Sequence, residues 1–89
     1  MARSRTYQVI VKPSADKALQ KLPLDIQRRI VGLLRELSVA PRPPGVVKMT
    51  GTDNLWRLRA GTYRIVYEIH DAELVVLVLR IGHRRDVYQ

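Results

Sequence analysis

Three arginines, Arg57, Arg59 and Arg64, stand in two neighbouring segments that both read as β-strands. Side chains alternate between the faces of a strand, so Trp56 and Leu58 share one face and Arg57 and Arg59 the other. In the next segment Tyr63, Ile65, Tyr67 and Ile69 share a face, and Arg64, Val66 and Glu68 lie opposite. With the apolar faces turned to a core, the three arginines meet on one uncovered face. Their mutual repulsion is a cost that a bound polyanion would offset. After the last apolar run Gly82 breaks the pattern and releases His83, Arg84, Arg85 and Tyr88. The expected result is a concave cationic surface with an aromatic ring at its edge. Guanidinium groups can grip phosphate in a bidentate way and keep their charge at any working pH.

Bulk composition agrees with that chemistry but is less specific. Sixteen Lys and Arg, most of them Arg, face eight Asp and Glu, for a formal net charge of +8. Such a balance favours nucleic acid, an acidic membrane surface or an acidic protein. With no cysteine, the chain has neither a disulfide staple nor a cysteine-based metal site. No glycine-rich phosphate loop, HExxH motif, serine triad or strand-borne carboxylate pair is visible, which disfavours metal-dependent and serine-type hydrolysis. Cofactors and metals are therefore expected to be none. No apolar run approaches the roughly 18 residues of a membrane span, and no secretory signal is evident. The expectation is a cytoplasmic protein, with residues 1–89 as one domain.

The elements that must carry the arginines follow from periodicity. Thr6 to Lys12 alternates and is β-branched, which predicts a first strand ended by Pro13. Ala15, Ala18, Leu19 and Leu22 predict a short amphipathic helix closed by Pro23. A second helix is expected from Leu24 to Leu37, with Ile26, Ile30, Leu33, Leu34 and Leu37 as its apolar stripe. Ser38 to Gly45 is loop, and Val46 to Met49 a short extended piece. Strands are then expected over Leu55–Arg59, Thr62–Ile69 and Glu73–Ile81, separated by tight turns. Leu74 to Leu79 is apolar at every position, which predicts a central strand covered on both faces. The order predicts an α+β fold: a small two-layer domain with an N-terminal strand, a helical hairpin and a three-stranded antiparallel meander.

Two stretches carry a family resemblance. Lys48-Met49-Thr50-Gly51 followed by Leu55-Trp56-Arg57-Leu58-Arg59-Ala60-Gly61-Thr62-Tyr63-Arg64-Ile65-Val66-Tyr67 resembles the central signature of the RelE/ParE toxin superfamily. Ile81-Gly82-His83-Arg84-Arg85-Asp86-Val87-Tyr88 looks like the closing signature of its RelE branch. The resemblance covers nearly the whole chain, from Tyr7 to Tyr88, in element order as well as motif.

The resemblance implies a toxin of a type II toxin–antitoxin system that cuts messenger RNA on the ribosome. In that reaction the 2′-hydroxyl attacks the adjacent phosphate, which needs a base, cations for the pentacoordinate phosphate and an acid for the leaving oxygen. By position, Arg57 and Arg59 match the family's two basic strand residues and Arg64 its transition-state arginine. Arg84 matches the arginine of the closing motif and Tyr88 its tyrosine. Lys48 and Arg85 join Arg57 and Arg59 as RNA- or phosphate-binding positions. Many relatives have lysine where Arg57 and Arg59 stand, and a guanidinium cannot give up its proton. Both are therefore read as phosphate clamps, and the proton transfer falls to Tyr88 or His83. The implied partners are the ribosome and mRNA, and an antitoxin of the RelB kind whose acidic segment wraps the toxin as a hetero-oligomer, with no membrane. A ParE-like inhibitor of DNA gyrase and a non-catalytic RNA-binding module are the alternatives.

Overall fold

The computed structural model describes residues 6–51 and 54–83. Arg84, Arg85 and Tyr88 thus lie outside the described residues. Strand β1 (Gln8–Val11) leads into helix α1 (Pro13–Gln20) and helix α2 (Leu24–Val39). Strands β2 (Val47–Lys48), β3 (Leu55–Ala60), β4 (Tyr63–His70) and β5 (Val75–His83) follow. The five-stranded sheet has the order β1-β5-β4-β3-β2. Successive strands from β2 to β5 pair antiparallel, whereas β1 lies parallel to β5, with Val9 opposite Val76 and Val11 opposite Val78. The two expected helices and the meander are present, and the two-residue β2 adds an edge.

Both helices cover the same face of the sheet. Pro13 starts α1 where its missing N–H costs nothing. Ala15 and Leu19 of α1 and Ile30, Leu34 and Leu37 of α2 are buried against Leu58, Ile65, Tyr67, Ile69, Val76, Val78 and Ile81. Each fully buried Leu or Ile here is worth about 1.5–3 kcal/mol over its exposed state. The Gln27 side-chain amide donates to the carbonyls of Gln20 (3.1 Å) and Leu22 (2.8 Å). It thereby satisfies the C-terminal carbonyls that α1 and its turn leave open, and locks the hairpin.

Two expectations for the last strand are corrected. Leu74 is not in it: a turn occupies residues 71–74, and Leu74 itself has a φ of 54°. Nor is the strand covered on both faces. Val76 and Val78 are fully buried under the helices, but Val75, Leu77 and Leu79 on the far side are only half-buried. Central placement in the sheet explains the apolar run, because β5 is flanked by β1 and β4.

A proline-rich loop ties the helical layer to the sheet. The Tyr67 hydroxyl, fully buried, donates to the Pro41 carbonyl at 2.8 Å. Arg42 makes a two-pronged contact with Asp71 at 3.2 and 2.8 Å, and the Tyr7 hydroxyl donates to the same carboxylate at 2.6 Å. The Arg42 guanidinium also lies 5.0 Å from the centre of the Trp56 ring, with the Lys48 ammonium 6.0 Å from it. Trp56 packs against the core, as its parity predicts. Its Nε1 is buried without a hydrogen-bond partner among the described residues.

Two outcomes follow from this strap. Tyr67→Phe leaves the Pro41 carbonyl without its donor and should cost about 1–3 kcal/mol, read by urea unfolding through the single tryptophan. The second concerns pH. Hydrogen bonds from Arg42 first and Tyr7 second hold the Asp71 carboxyl at about 2, below its ordinary 3.8. A carboxylate with a depressed pKa stabilises the fold above its unfolded value and loses that contribution as pH falls through the folded one. Asp71→Asn should therefore unfold more easily than the parent at neutral pH, and the gap should close as acid titration passes from about 3.8 to about 2. The pair is exposed, so the effect should shrink in high salt.

Candidate functional site

The arginine face is built by the β3–β4 hairpin. Its two-residue loop, Gly61-Thr62, has positive φ only at Gly61 (62°), the pattern of a type II′ turn that glycine enters without strain. That turn sets the register: Arg59 stands directly opposite Arg64, and Arg57 opposite Val66. Ile65 and Tyr67 face the core at 0% exposure, which forces Arg64 and Val66 to the other side. Like charges directly across a ladder are unfavourable. The Gly61 carbonyl offsets part of this by accepting from Arg59 Nε and from an Arg64 terminal nitrogen, both at 3.3 Å. Arg64 also donates to the Tyr63 carbonyl at 3.3 Å. Arg64 is 8% exposed, Arg57 half-buried and Arg59 exposed.

Arg57, Arg59 and Arg64 line a small cleft of about 180 Å³ together with Gly45 and Val47. The cleft is wide enough for a phosphate group but not for a nucleotide. Its floor is a sheet and its cations come from rigid strands, which is the arrangement that stabilises charge developing on a bound group.

Other expected site residues fall elsewhere. Lys48 pairs with Trp56, not with Arg57, so parity puts it on the helical side with its ammonium near the indole. Val47 takes the place opposite Arg57. His83 pairs with Tyr63 and meets its ring edge-on at 5.8 Å. It follows Ile81 in alternation, on the face opposite Arg64. The structure therefore brings Arg57, Arg59 and Arg64 together and leaves Lys48 and His83 on the other side of the sheet.

Two cations near the site are not marked by any pattern in the sequence. The β4–β5 pairing slips by one residue between Val66 and Tyr67: Tyr67 faces Val78, whereas Val66 faces Arg80. Leu79 is the extra residue, a β-bulge that reverses the parity beyond it. Strict alternation from Val76 and Val78 would send Arg80 into the core. The bulge instead turns Ile81 inward, at 3% exposure opposite Ile65, and sets Arg80 in one row with Val66 and Arg57. Arg29 of α2 is the second. Its guanidinium lies 3.6 Å from where a Gly61 side chain would begin, so it approaches the hairpin loop from the helical side. No local signal announces either placement, because one depends on a register slip and the other on helix docking.

The two-layer domain with this topology is the fold of solved RelE toxins. The chain superposes on the RelE–RelB complex of Pyrococcus horikoshii with a TM-score of 0.80 at 33% identity, covering 89% of this chain and 96% of that one. Against the toxin–antitoxin complex RelBE2 of Mycobacterium tuberculosis the TM-score is 0.78 at 31% identity, over 89% and 99% of the two chains. It is also 33% identical to the toxin RelG of M. tuberculosis over 84 residues, 93% of this chain and 97% of that protein. The family model of the ParE toxin of type II toxin–antitoxin systems matches residues 9–88, and the chain belongs to that family, within the RelE/ParE superfamily. It is a type II toxin of the RelE kind.

Arg59 is exposed and stands directly opposite another guanidinium, so removing its charge should relieve repulsion rather than weaken the fold. Arg59→Gln should leave the urea midpoint unchanged or slightly raised, within about 0.5 kcal/mol. The same variant should leave a heparin column at lower salt than the parent. A clear loss of stability instead would make Arg59 a structural residue.

Proposed function

We propose that this toxin is an endoribonuclease that cuts messenger RNA in the ribosome, without a metal ion, by attack of a 2′-hydroxyl on the adjacent phosphate. The observation that carries this reading is the convergence of Arg57, Arg59 and Arg64 on one phosphate-sized cleft. In the step, the 2′-oxygen bonds to phosphorus, the bond to the 5′-oxygen breaks, and a 2′,3′-cyclic phosphate remains. One proton leaves the 2′-hydroxyl and one reaches the departing 5′-oxygen. Arg57 and Arg59 hold the phosphate, and Arg64, the most buried of the three, faces the charge that builds on its oxygens. Arg84 and Arg85 add cations from the closing segment.

Guanidinium groups cannot serve as the base. Proton transfer is therefore assigned to Tyr88, because His83 lies on the opposite face of the sheet from the arginines, with its ring against Tyr63. General acid–base catalysis contributes only about 10²–10⁴-fold, so positioning and electrostatics supply the larger part. The ribosome would supply the first by holding the message in place. Solved relatives include complexes with RelB, and the partner proposed here is likewise an antitoxin whose acidic segment meets a chain of net charge +8. No described helix is long and apolar enough to cross a membrane.

A second reading draws on the matching family model, which bears the ParE description. On that reading the chain would inhibit DNA gyrase as a protein ligand and cut nothing. Purified ribosomes, a defined message and the pure toxin decide between them. The expected products are cuts within codons, and Arg64→Ala should lower their rate by about 10²-fold or more without lowering the urea midpoint comparably. Intact message together with blocked supercoiling would establish the gyrase reading. Intact message with retained RNA affinity would leave a binding module.

A further inference from the structure

The cationic face does not stop at the phosphate-sized cleft. Arg80 stands in the row Arg57–Val66–Arg80, two strand spacings or about 10 Å from Arg57 across the sheet. The pairing of β1 with β5 ends at Val11 and Val78. The chain leaves β1 at Lys12 and enters α1, and a second cleft opens where the two elements part from β5. It is about 480 Å³ and is lined by Lys12, Ser14, Arg80 and the apolar side chains of Ala18, Leu79 and Ile81.

Size and lining separate this cleft from the first. At about 480 Å³ it can take a nucleoside, whereas the arginine cleft takes little more than a phosphate group. Its lining combines two cations and a hydroxyl with the small or apolar side chains of Ala15, Ala18, Leu79 and Ile81, a mix that suits a phosphodiester and a ribose or base. Lys12 is exposed, and so is Arg80.

We infer that this second cleft holds the nucleotide flanking the cut, with Arg80 and Lys12 on its phosphodiester and Ser14 within its reach. The inference rests on the endoribonuclease reading of the adjoining site, and names the path of the substrate strand across the sheet. The strand runs from the Arg57–Arg64 cleft past Val66 to the β5 edge. Arg80 belongs to this path only because the Leu79 bulge turns it away from the core.

The test uses the full chain and RNA made uncleavable by 2′-O-methylation, in a short form and in a form extended on both sides. Binding is measured over a range of salt concentrations. Lys12→Gln and Arg80→Ala combined should weaken the extended RNA about tenfold and leave the short one unchanged. The slope of log affinity against log salt should fall by about 0.7 for each phosphate that the variant no longer neutralises. Arg80→Lys should restore most of the affinity. Equal loss on both lengths, no loss on either, or a loss confined to ribosome association with oligonucleotide affinity intact would overturn the proposal. A chain that binds with this length dependence but cuts nothing would sink the endoribonuclease reading alone. Unchanged urea midpoints guard against misfolding in every arm.

Discussion

Everything at the site depends on the two-sidedness of β4. Ile65, Tyr67 and Ile69 are held at 0–2% exposure beneath the helices, and this burial decides that Arg64 and Val66 lie on the opposite face. A one-residue slip of that strand would put a guanidinium in the core, at a cost far above what any single interaction returns. The hairpin loop at Gly61 then carries the decision into β3, setting Arg59 beside Arg64 and Arg57 one row away. Cations that repel one another are thus held in place by apolar side chains on the reverse of the same strands.

The strap around Tyr67 serves the same arrangement from the other side. Hydrogen bonding of its hydroxyl to Pro41 and the Arg42–Asp71–Tyr7 cluster hold the loop that leads into β2. Gly45 and Val47 of that stretch form one wall of the arginine cleft. The strap is a matter of packing and hydrogen bonding, and the arginine face is a matter of charge.

Arginine in place of lysine at two strand positions shapes the chemistry proposed. A guanidinium is a permanent, planar donor and therefore a better clamp, but it cannot exchange a proton with the substrate. In the proposed mechanism, charge stabilisation falls to the sheet and proton transfer to Tyr88. Such a division suits a nuclease whose substrate is positioned by a larger assembly.

How much was legible in the sequence varies with the physical origin of each feature. Period-two alternation in residues 55–69 and helical spacing at Ile30, Leu34 and Leu37 are local, so the elements and the faces of Arg57, Arg59 and Arg64 could be read directly. Both helices, the hairpin loop and the inward side of Trp56 follow from the same rules. What is non-local could not be read. The Leu79 bulge is a mismatch between two strands, and it alone puts Arg80 with Arg57 and Ile81 in the core. Lys48 joins Trp56 because β2 happens to pair in that register, and His83 meets Tyr63 through the last rung of β4 and β5. The parallel docking of β1 on β5, which opens the second cleft, is likewise a matter of packing between distant segments. Residue order determined that this toxin has an arginine-bearing strand face. Only the pairing of strands decided which other cations share it, because register is set between strands and not within one.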